Sequence, residues 1–204
     1  VIEQGLGGRR KQGNLKLTAS VSLTYKPWSW LTLEGKVAPR FHWNTNHTFE
    51  DFIVYHSDPY GTVSNATNVE HNSLYEGRSR YFYGNYQFTA TFNKTFAKNH
   101  EVRVLLGASR ETMDGSTLNA KRYDYAYPDY ESINAGADNE LKENGGAREQ
   151  LALQSYFGRV NYNYKERYLF EANIRFDGSS RFARGHRWGI FPSFSAAWRV
   201  TEEP

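Results

Sequence analysis

The stretch YFGRVNYNYKERYLFEANIRFDGSSRF, Tyr156–Phe182, alternates between apolar and polar residues on both sides of one short turn. Before the turn, Tyr156, Gly158, Val160, Tyr162 and Tyr164 alternate with Phe157, Arg159, Asn161, Asn163 and Lys165. After it, Tyr168, Phe170, Ala172, Ile174 and Phe176 alternate with Glu171, Asn173, Arg175 and Asp177. A period of two residues is that of a β-strand whose two faces meet different surroundings. The stretch therefore predicts a β-hairpin with one apolar and one polar face.

The composition fits one ordered domain. The chain has 204 residues, of which 39% are hydrophobic and 16% aromatic, enough for a core. Because it contains no Cys, disulfides, thiol catalysis and thiolate metal sites are excluded. The formal charge is only +3, and the Lys and Arg residues are scattered among 22 acids, a pattern that argues against nucleic acid as a partner.

The same alternation predicts further strands on either side of this hairpin. Their apolar positions run through Leu15–Tyr25, Leu31–Val37, Phe82–Phe92, Val102–Ala108 and Phe194–Val200. Together with the hairpin they give seven strands and no helix. No apolar run approaches the roughly 18 residues of a transmembrane helix. A membrane barrel, however, hides its apolar residues at every second position, where a mean hydropathy of −0.75 does not show them.

The connections between the predicted strands alternate between short and long. The short ones are 27–29, 97–100 and 165–166, and the long irregular ones are 41–80, 112–150 and 178–191. This sorting is typical of outer-membrane barrels, which have short periplasmic turns and long external loops. Strands of about eleven residues, tilted by about 40°, rise roughly 25 Å, the height of the apolar band of such barrels. Rings near the short turns, such as Trp28, Trp30 and Tyr168, are typical of an aromatic girdle. A soluble β-sandwich also alternates and stays open as an alternative.

The last fifty residues carry a family resemblance. The series SYFGRVNYNYKERYLFEANIRFDGSSRFARGHRWGIFPSFSAAWRV, residues 155–200, resembles the barrel of SusC/RagA-type TonB-dependent outer-membrane transporters. Its marks are the Arg-aromatic-Asp-Gly-Ser-Ser-Arg-Phe sequence that ends one strand and the Phe-Pro-Ser that opens the next. WSWLTLEGKV, residues 28–37, and NKTFAKNHEVRVLLGAS, residues 93–109, look like upstream hairpins of the same family. The resemblance covers most of the chain outside the two longest loops.

The resemblance implies an all-β, antiparallel up-and-down transmembrane barrel of about 22 strands, plugged and located in the bacterial outer membrane. It implies a nutrient importer that is no enzyme and needs no cofactor. Such importers take up oligosaccharides or peptides with a SusD-like lipoprotein and are driven by a TonB complex. We recognise no plug domain, TonB box or signal peptide in residues 1–204. We therefore expect one partial barrel domain, an internal piece with about seven strands, whose contact with TonB lies in an N-terminal region outside this sequence.

Two groups of residues are candidates for function. The first is a polar row that shares one strand face and that we expect to line the lumen: Arg159, Glu171, Arg175, Asp177 and Arg199. Neighbouring strands could place opposite charges side by side in this row, as an ion-pair ladder or as a direct contact to substrate. The second is the tyrosine-rich loop sequence YDYAYPDY, in which Tyr123, Tyr125, Tyr127, Asp129 and Tyr130 could contact a sugar, a peptide or the lipoprotein. The alternative is that these rings pack within their own loop.

Other candidate sites receive less support from the sequence. The pairs Glu50-Asp51 and Glu202-Glu203 do not form a catalytic pair, because neighbouring residues of a strand point to opposite faces. The six histidines show no i,i+4 pair, so we expect solvated loop histidines and no metal site. Asp138, Glu140 and Glu143 could attract calcium but lack an EF-hand pattern. We expect Asp177–Phe182 to be a turn, because Asp, Gly and Ser are turn residues.

Two other functions stay open. One is a structural or adhesive outer-membrane barrel that transports nothing, and the other is a soluble sugar-binding β-sandwich.

Overall fold

The computed structural model describes residues 7–56, 64–67 and 69–203. Its strands are β1 (Gly8–Thr18), β2 (Val21–Trp28), β3 (Leu31–Glu50), β4 (Val54–His56), β5 (Ser64–Thr67), β6 (Ser73–Phe96), β7 (His100–Tyr123), β8 (Glu143–Tyr164), β9 (Tyr168–Ser179) and β10 (Trp188–Trp198). Two short 3₁₀ helices, Ile133–Ala135 and Val200–Glu202, are the only helices among these residues. Neither is long and apolar enough to cross a membrane.

The main sheet has the strand order β1-β3-β6-β7-β8-β9-β10, and β2 also pairs with β3. β4 and β5 form a separate two-stranded sheet. β1 and β2 follow one another along the same side of β3, so the main sheet has seven strand positions, as the sequence predicts. The path is open among the described residues, because β10 pairs with β9 and not with β1 or β2.

β1 and β2 are separate strands because Pro39 in β3 interrupts the hydrogen-bond ladder between them. The Ala19 N–H donates to the Pro39 carbonyl at 3.1 Å, which keeps the register that pairs Val21 with Val37. Proline has no N–H, so it cannot return a hydrogen bond to Ala19. The ladder therefore loses one bond at this point, although the strand keeps its direction and its pairing.

The register of β8, β9 and β10 confirms the two faces predicted from the sequence. Val160 lies opposite Ala172, and Ala172 lies opposite Phe194, so the apolar residues of three strands share one face. Arg159 lies opposite Asn173 on the other face. The apolar face is not covered by the rest of the chain, since large apolar side chains such as Phe170 and Phe194 stay exposed. An extended uncovered apolar surface of this kind needs lipid or protein against it.

The chain divides into two compact units. The first contains the described residues of 1–17, 41–81 and 115–149, and the second those of 18–40, 82–114 and 150–204. The small buried core, formed by Phe49, Leu74 and Tyr125, belongs to the first unit. The uncovered apolar face of β8–β10 belongs to the second. Ring contacts near the short turns of the second unit include Trp28 with Trp30 at 5.0 Å and Tyr168 with Trp198 at 6.5 Å, between ring centroids.

The strands are longer than the sequence pattern predicts, and the long loops are correspondingly shorter. The expected loop 41–80 begins with ten further residues of β3 and ends with the start of β6, and the expected loop 112–150 contains the ends of β7 and β8. β1 likewise begins at Gly8 rather than near Leu15. These extra strand residues are mostly polar on both faces, as in Asn44–Thr48. The apolar period that identified the other strands is therefore absent from them.

The short turns near 97–100 and 165–166 are confirmed, and both hold residues in the left-handed region, whereas the first turn lies at 29–30 rather than 27–29 because β2 runs to Trp28. Ala97 and Lys98 have φ values of 45° and 62°, and Lys165 and Glu166 have 54° and 57°. Two consecutive positive φ angles match the twist of a tight β-hairpin. Gly, Asn and Asp normally occupy such positions. These turns have Ala, Lys and Glu there instead, so their backbone carries some strain.

We expect Ala97→Gly to stabilise the protein by roughly 1 kcal/mol, because glycine adopts a positive φ without the steric cost that alanine bears. The measurement is the urea midpoint of the full-length protein folded in lipid vesicles. Lys94→Gly in the adjoining strand β6 is the matched control, and it should destabilise by roughly 0.5–1 kcal/mol. Equal losses for the two variants would show that the turn is not strained.

Candidate functional site

The predicted polar row lies on one face of β8 and β9 in the second unit. Arg159 Nε donates to Asn173 Oδ1 at 2.7 Å, and Asn173 Nδ2 donates to Glu171 Oε1 at 2.8 Å. Asn161 on β8 donates to the second oxygen of Glu171 at 2.5 Å. Arg159, Asn161, Glu171 and Asn173 are thus joined by hydrogen bonds that cross two strands.

The ion pairing within the row differs from the predicted ladder. Arg175 Nε donates to both carboxylate oxygens of Asp177, at 2.7 and 2.8 Å, on its own strand rather than across strands. Arg175 also donates to Ser155 Oγ at 3.1 Å, and its guanidinium lies 5.8 Å from the ring centroid of Phe157. The partners of Arg159 and Glu171 are amides, because asparagines occupy the facing positions of the register.

Arg199 follows directly after the last residue of β10. β10 ends at Trp198, and the Arg199 N–H donates to the Arg167 carbonyl at 2.8 Å, next to a short turn. This bond continues the register in which Trp198 lies opposite Tyr168, and the place of Arg199 in the polar row stays a prediction.

The DGSSRF segment is part strand and part turn. Asp177, Gly178 and Ser179 still belong to β9, and the chain turns from Ser180. The Ser180 hydroxyl accepts the Ala152 N–H at 2.9 Å, the side-chain capping expected of a turn serine. The loop from Ser180 to Arg187 borders a cavity of about 500 Å³ over the polar face, whose lining includes Arg175, Asp177, Phe182 and Phe191.

The tyrosine-rich loop separates into buried and exposed rings. Tyr125 is 4% exposed and packs edge-on against Phe49, with ring centroids 5.5 Å apart, so its ring is not available to a ligand. Tyr123 ends β7 and donates its hydroxyl to Glu143 Oε1. Tyr127 and Tyr130 are 77% and 66% exposed, and the Asp129 side chain is also exposed. Tyr125 thus packs against Phe49 on β3 and Leu74 on β6 rather than only within its own loop, whereas the side chains of Tyr127, Asp129 and Tyr130 are exposed.

Asn72 anchors the beginning of this loop. Its buried side chain donates to the Tyr125 carbonyl at 3.0 Å and accepts the Tyr125 N–H at 2.7 Å. Its own carbonyl accepts the Asp124 N–H at 3.0 Å. Burial raises the pKa of the Tyr125 hydroxyl, so this ring is neutral throughout the physiological range. Neutral bonds and apolar packing therefore fix the β7–β8 loop (residues 124–142) at Tyr125.

A charged cluster holds the same loop at Glu131. The ring of His47 on β3 bonds through Nδ1 to Glu76 Oε1 at 2.7 Å and through Nε2 to Glu131. Arg9 on β1 donates to Glu131 and, at 3.3 Å, to the Pro128 carbonyl. A cavity of about 550 Å³ next to the cluster is lined by Arg9, Lys11, His47, Asp129 and Glu131.

Two pKa values in this cluster are shifted. The hydrogen bonds to Glu76 and Glu131 raise the pKa of His47, against a smaller opposing effect of burial. Burial acts to raise the pKa of Glu131, but the hydrogen bonds from His47 and Arg9 outweigh it and lower that pKa. His47 lies in the part of β3 that is polar on both faces and Glu131 lies in the β7–β8 loop, so both are outside the apolar band.

Sequence reasoning missed the charged cluster and was wrong about His47, which is not a solvated loop histidine. Its two carboxylate partners are 29 and 84 residues away along the chain, so no local spacing could have indicated them. Asp138, considered above for calcium, instead forms an ion pair with Lys142 at 2.7 Å. Across the described ranges, no group of three or more His, Asp and Glu side chains could hold a metal ion.

Comparisons with known proteins agree with this geometry. The chain is 36% identical over 134 residues to TonB-dependent receptor P39 of Formosa agariphila, an alignment that covers 65% of this chain and 12% of that receptor. It is 47% identical over 66 residues to TonB-dependent receptor SusC of Bacteroides thetaiotaomicron, covering 32% of this chain and 7% of SusC. The chain thus spans about a tenth of the length of these relatives.

A solved structure shares the fold over most of the chain. The structure of the RagAB peptide transporter superposes with a TM-score of 0.76 over 92% of this chain and 20% of that chain, at 18% identity. The family described as TonB dependent receptor-like, beta-barrel matches residues 5–203, nearly the whole sequence. The chain therefore belongs to the TonB-dependent receptor-like β-barrel family of the bacterial outer membrane, as the resemblance to SusC/RagA-type transporters implies.

Proposed function

We propose that this chain forms part of the wall of a TonB-dependent importer that moves oligosaccharides or peptides across the outer membrane without altering them chemically. The observation that carries the proposal is the two-faced register of β8–β10, with an uncovered apolar face and a hydrogen-bonded polar face. The family supports a transport role. The fold shared with the RagAB peptide transporter supports an organic nutrient as cargo.

In this proposal the polar face lines the lumen. Arg159 and Glu171 bond to asparagine amides, and Arg175 pairs with Asp177. A face with these charged groups is suited to a water-filled lumen and not to lipid. The exposed rings of Phe182 and Phe191, beside the Arg175–Asp177 pair, offer both apolar and polar contacts to a passing solute. Contacts of this mixed kind suit sugars and peptides.

The importer is tested by deleting the whole gene and growing the strain on single oligosaccharides and on peptide mixtures. We expect growth to fail on one of these nutrients and to return with the wild-type gene. A deletion strain that grows on every nutrient but no longer adheres to surfaces would favour the adhesive barrel instead.

We further propose that Tyr127, Asp129 and Tyr130 contact a SusD-like lipoprotein, because their side chains are exposed at one loop tip. The double variant Tyr127→Ala/Tyr130→Ala in the full-length protein should reduce co-purification of the lipoprotein. Phe182→Ala, which removes an equally exposed ring from the β9–β10 loop, is the matched control. Equal lipoprotein recovery from both variants would contradict this contact.

A further inference from the structure

His47 bridges two carboxylates that belong to different parts of the first unit. Glu76 is on β6, and Glu131 is in the β7–β8 loop. A neutral imidazole has one N–H and one lone-pair nitrogen, so it can donate to only one of two carboxylates. Both ring nitrogens donate only when the ring is protonated. The observed contacts on both sides therefore require the imidazolium form.

Besides Glu76 and Glu131, the charged groups around His47 are Arg9, Lys11 and Asp129. Arg9 contacts Glu131 and lies 3.8 Å from Asp129, and Lys11 lines the same cavity. Histidine is the side-chain type whose unperturbed pKa brings its change of charge close to neutral pH. His47 is thus the group whose charge changes between acidic and alkaline conditions.

The loop residues on either side of Glu131 are fixed by contacts that do not depend on protons. Tyr125 belongs to the buried core, and Ile133 and Ala135 pack against that core. The stretch between them, residues 126–132, is held to the strands by His47 and Arg9 at Glu131, and by Arg9 also at the Pro128 carbonyl and the Asp129 carboxylate. Loss of the His47 bond would leave Arg9 as the remaining charged contact.

We propose that His47 is a proton-operated clasp, which holds loop residues 126–132 against β3 and β6 when the ring is protonated and loosens them when it is neutral. The raised pKa of His47 agrees with this direction. The clasp is complete below the ordinary histidine pKa of about 6.5 and is lost as the pH rises through the raised value. The lowered pKa of Glu131 sets the acid limit, because protonation of that carboxylate also opens the clasp.

The clasp acts on the residues that we assign to the lipoprotein contact. Tyr127, Asp129 and Tyr130 all lie within residues 126–132. A more alkaline medium would therefore present them on a looser segment, and ordering that segment would then add to the cost of binding. This consequence rests on the proposed function, whereas the clasp itself does not.

Hydrogen exchange of the full-length protein in lipid nanodiscs tests the clasp. Protection factors of residues 126–132, corrected for the intrinsic pH dependence of exchange, are measured from about pH 6 to about pH 9. We expect them to fall as the pH rises, by up to about tenfold for each unit by which closure raises the pKa of His47. The amide of Tyr125 should stay protected throughout. Wild-type protection of residues 126–132 that does not change with pH would overturn the proposal.

Two variants separate the clasp from a general effect of pH. In Glu131→Gln the side-chain amide can donate to a neutral ring nitrogen while the other nitrogen donates to Glu76, so residues 126–132 should stay closed with a flat pH profile. If that variant does not fold, Glu76→Gln provides the same test at the other carboxylate that bonds to His47.

His42→Gln is the matched control. His42 lies on the same strand but has the neutral partner Asn14, so this variant should keep the wild-type profile. A wild-type profile in a folded Glu131→Gln or Glu76→Gln variant would also overturn the proposal. These experiments do not measure lipoprotein binding. If the proposed lipoprotein contact proved wrong, the hydrogen-exchange result for the clasp would still stand.

Discussion

Arginine in place of Ala172 is expected to destabilise the folded protein by roughly 2–4 kcal/mol, the cost of a cation on the lipid face near the bilayer midplane. Ala172 lies in the middle of β9, between Val160 on one side and Phe194 on the other. These neighbours belong to the apolar face that the rest of the chain leaves uncovered. The measurement is the free energy of unfolding of the full-length protein in lipid vesicles, taken from reversible denaturant titrations.

Arginine at the next residue is the matched control. Asn173 occupies the opposite face, where it contacts Arg159 and Glu171. Asn173→Arg loses these bonds but places its charge beside a carboxylate on a polar surface, so it should fold nearly normally. Equal losses for Ala172→Arg and Asn173→Arg would show that the two faces meet the same surroundings.

Truncation of Leu74 to alanine is expected to have the second large effect, a loss of roughly 2–5 kcal/mol, because a cavity forms where the side chain was fully packed. Leu74 is 0% exposed and lies with Phe49 and Tyr125 in the core of the first unit. Ile133 and Ala135 pack on the same cluster, so the β7–β8 loop depends on it. We expect the loss to appear as weaker hydrogen-exchange protection of the Tyr125 and Ala135 amides.

Leu118→Ala provides the comparison. Leu118 is in the same unit and is 68% exposed, so its truncation should change the local stability by less than about 0.5 kcal/mol. If the two leucine variants lowered the protection of these amides equally, the core would not hold the loop.

The sequence predicts the second unit well because lipid imposes a rule on every strand residue. A side chain that faces lipid must be apolar, so the alternation Phe170, Ala172, Ile174 is visible without any knowledge of its neighbours. The turn at Lys165-Glu166 follows from the same pattern, since the alternation stops there and resumes with Tyr168. The family resemblance adds the outer-membrane location.

The first unit is less predictable because its strands meet polar groups on both faces. Thr45, Asn46 and His47 continue β3 through hydrogen bonds to neighbouring strands, which leave no periodic trace in hydropathy. The functional residues of the two units differ in predictability in the same way. Arg175 and Asp177 share a face by parity, whereas His47, Glu76 and Glu131 meet only through tertiary folding.

The two-faced sheet is tested most directly by a nitroxide scan of residues 170–175 in the full-length protein in lipid bilayers. Each residue is replaced in turn by a spin-labelled cysteine, and collision rates with oxygen and with a water-soluble nickel chelate are compared. Labels at 170, 172 and 174 should collide mainly with oxygen, which concentrates in lipid, and labels at 171, 173 and 175 mainly with the chelate. A strand of period two gives this alternation only when its faces meet lipid and water. Equal access of the chelate to all six positions, or oxygen preference at 173 and 175, would contradict a membrane wall with a polar lumen face.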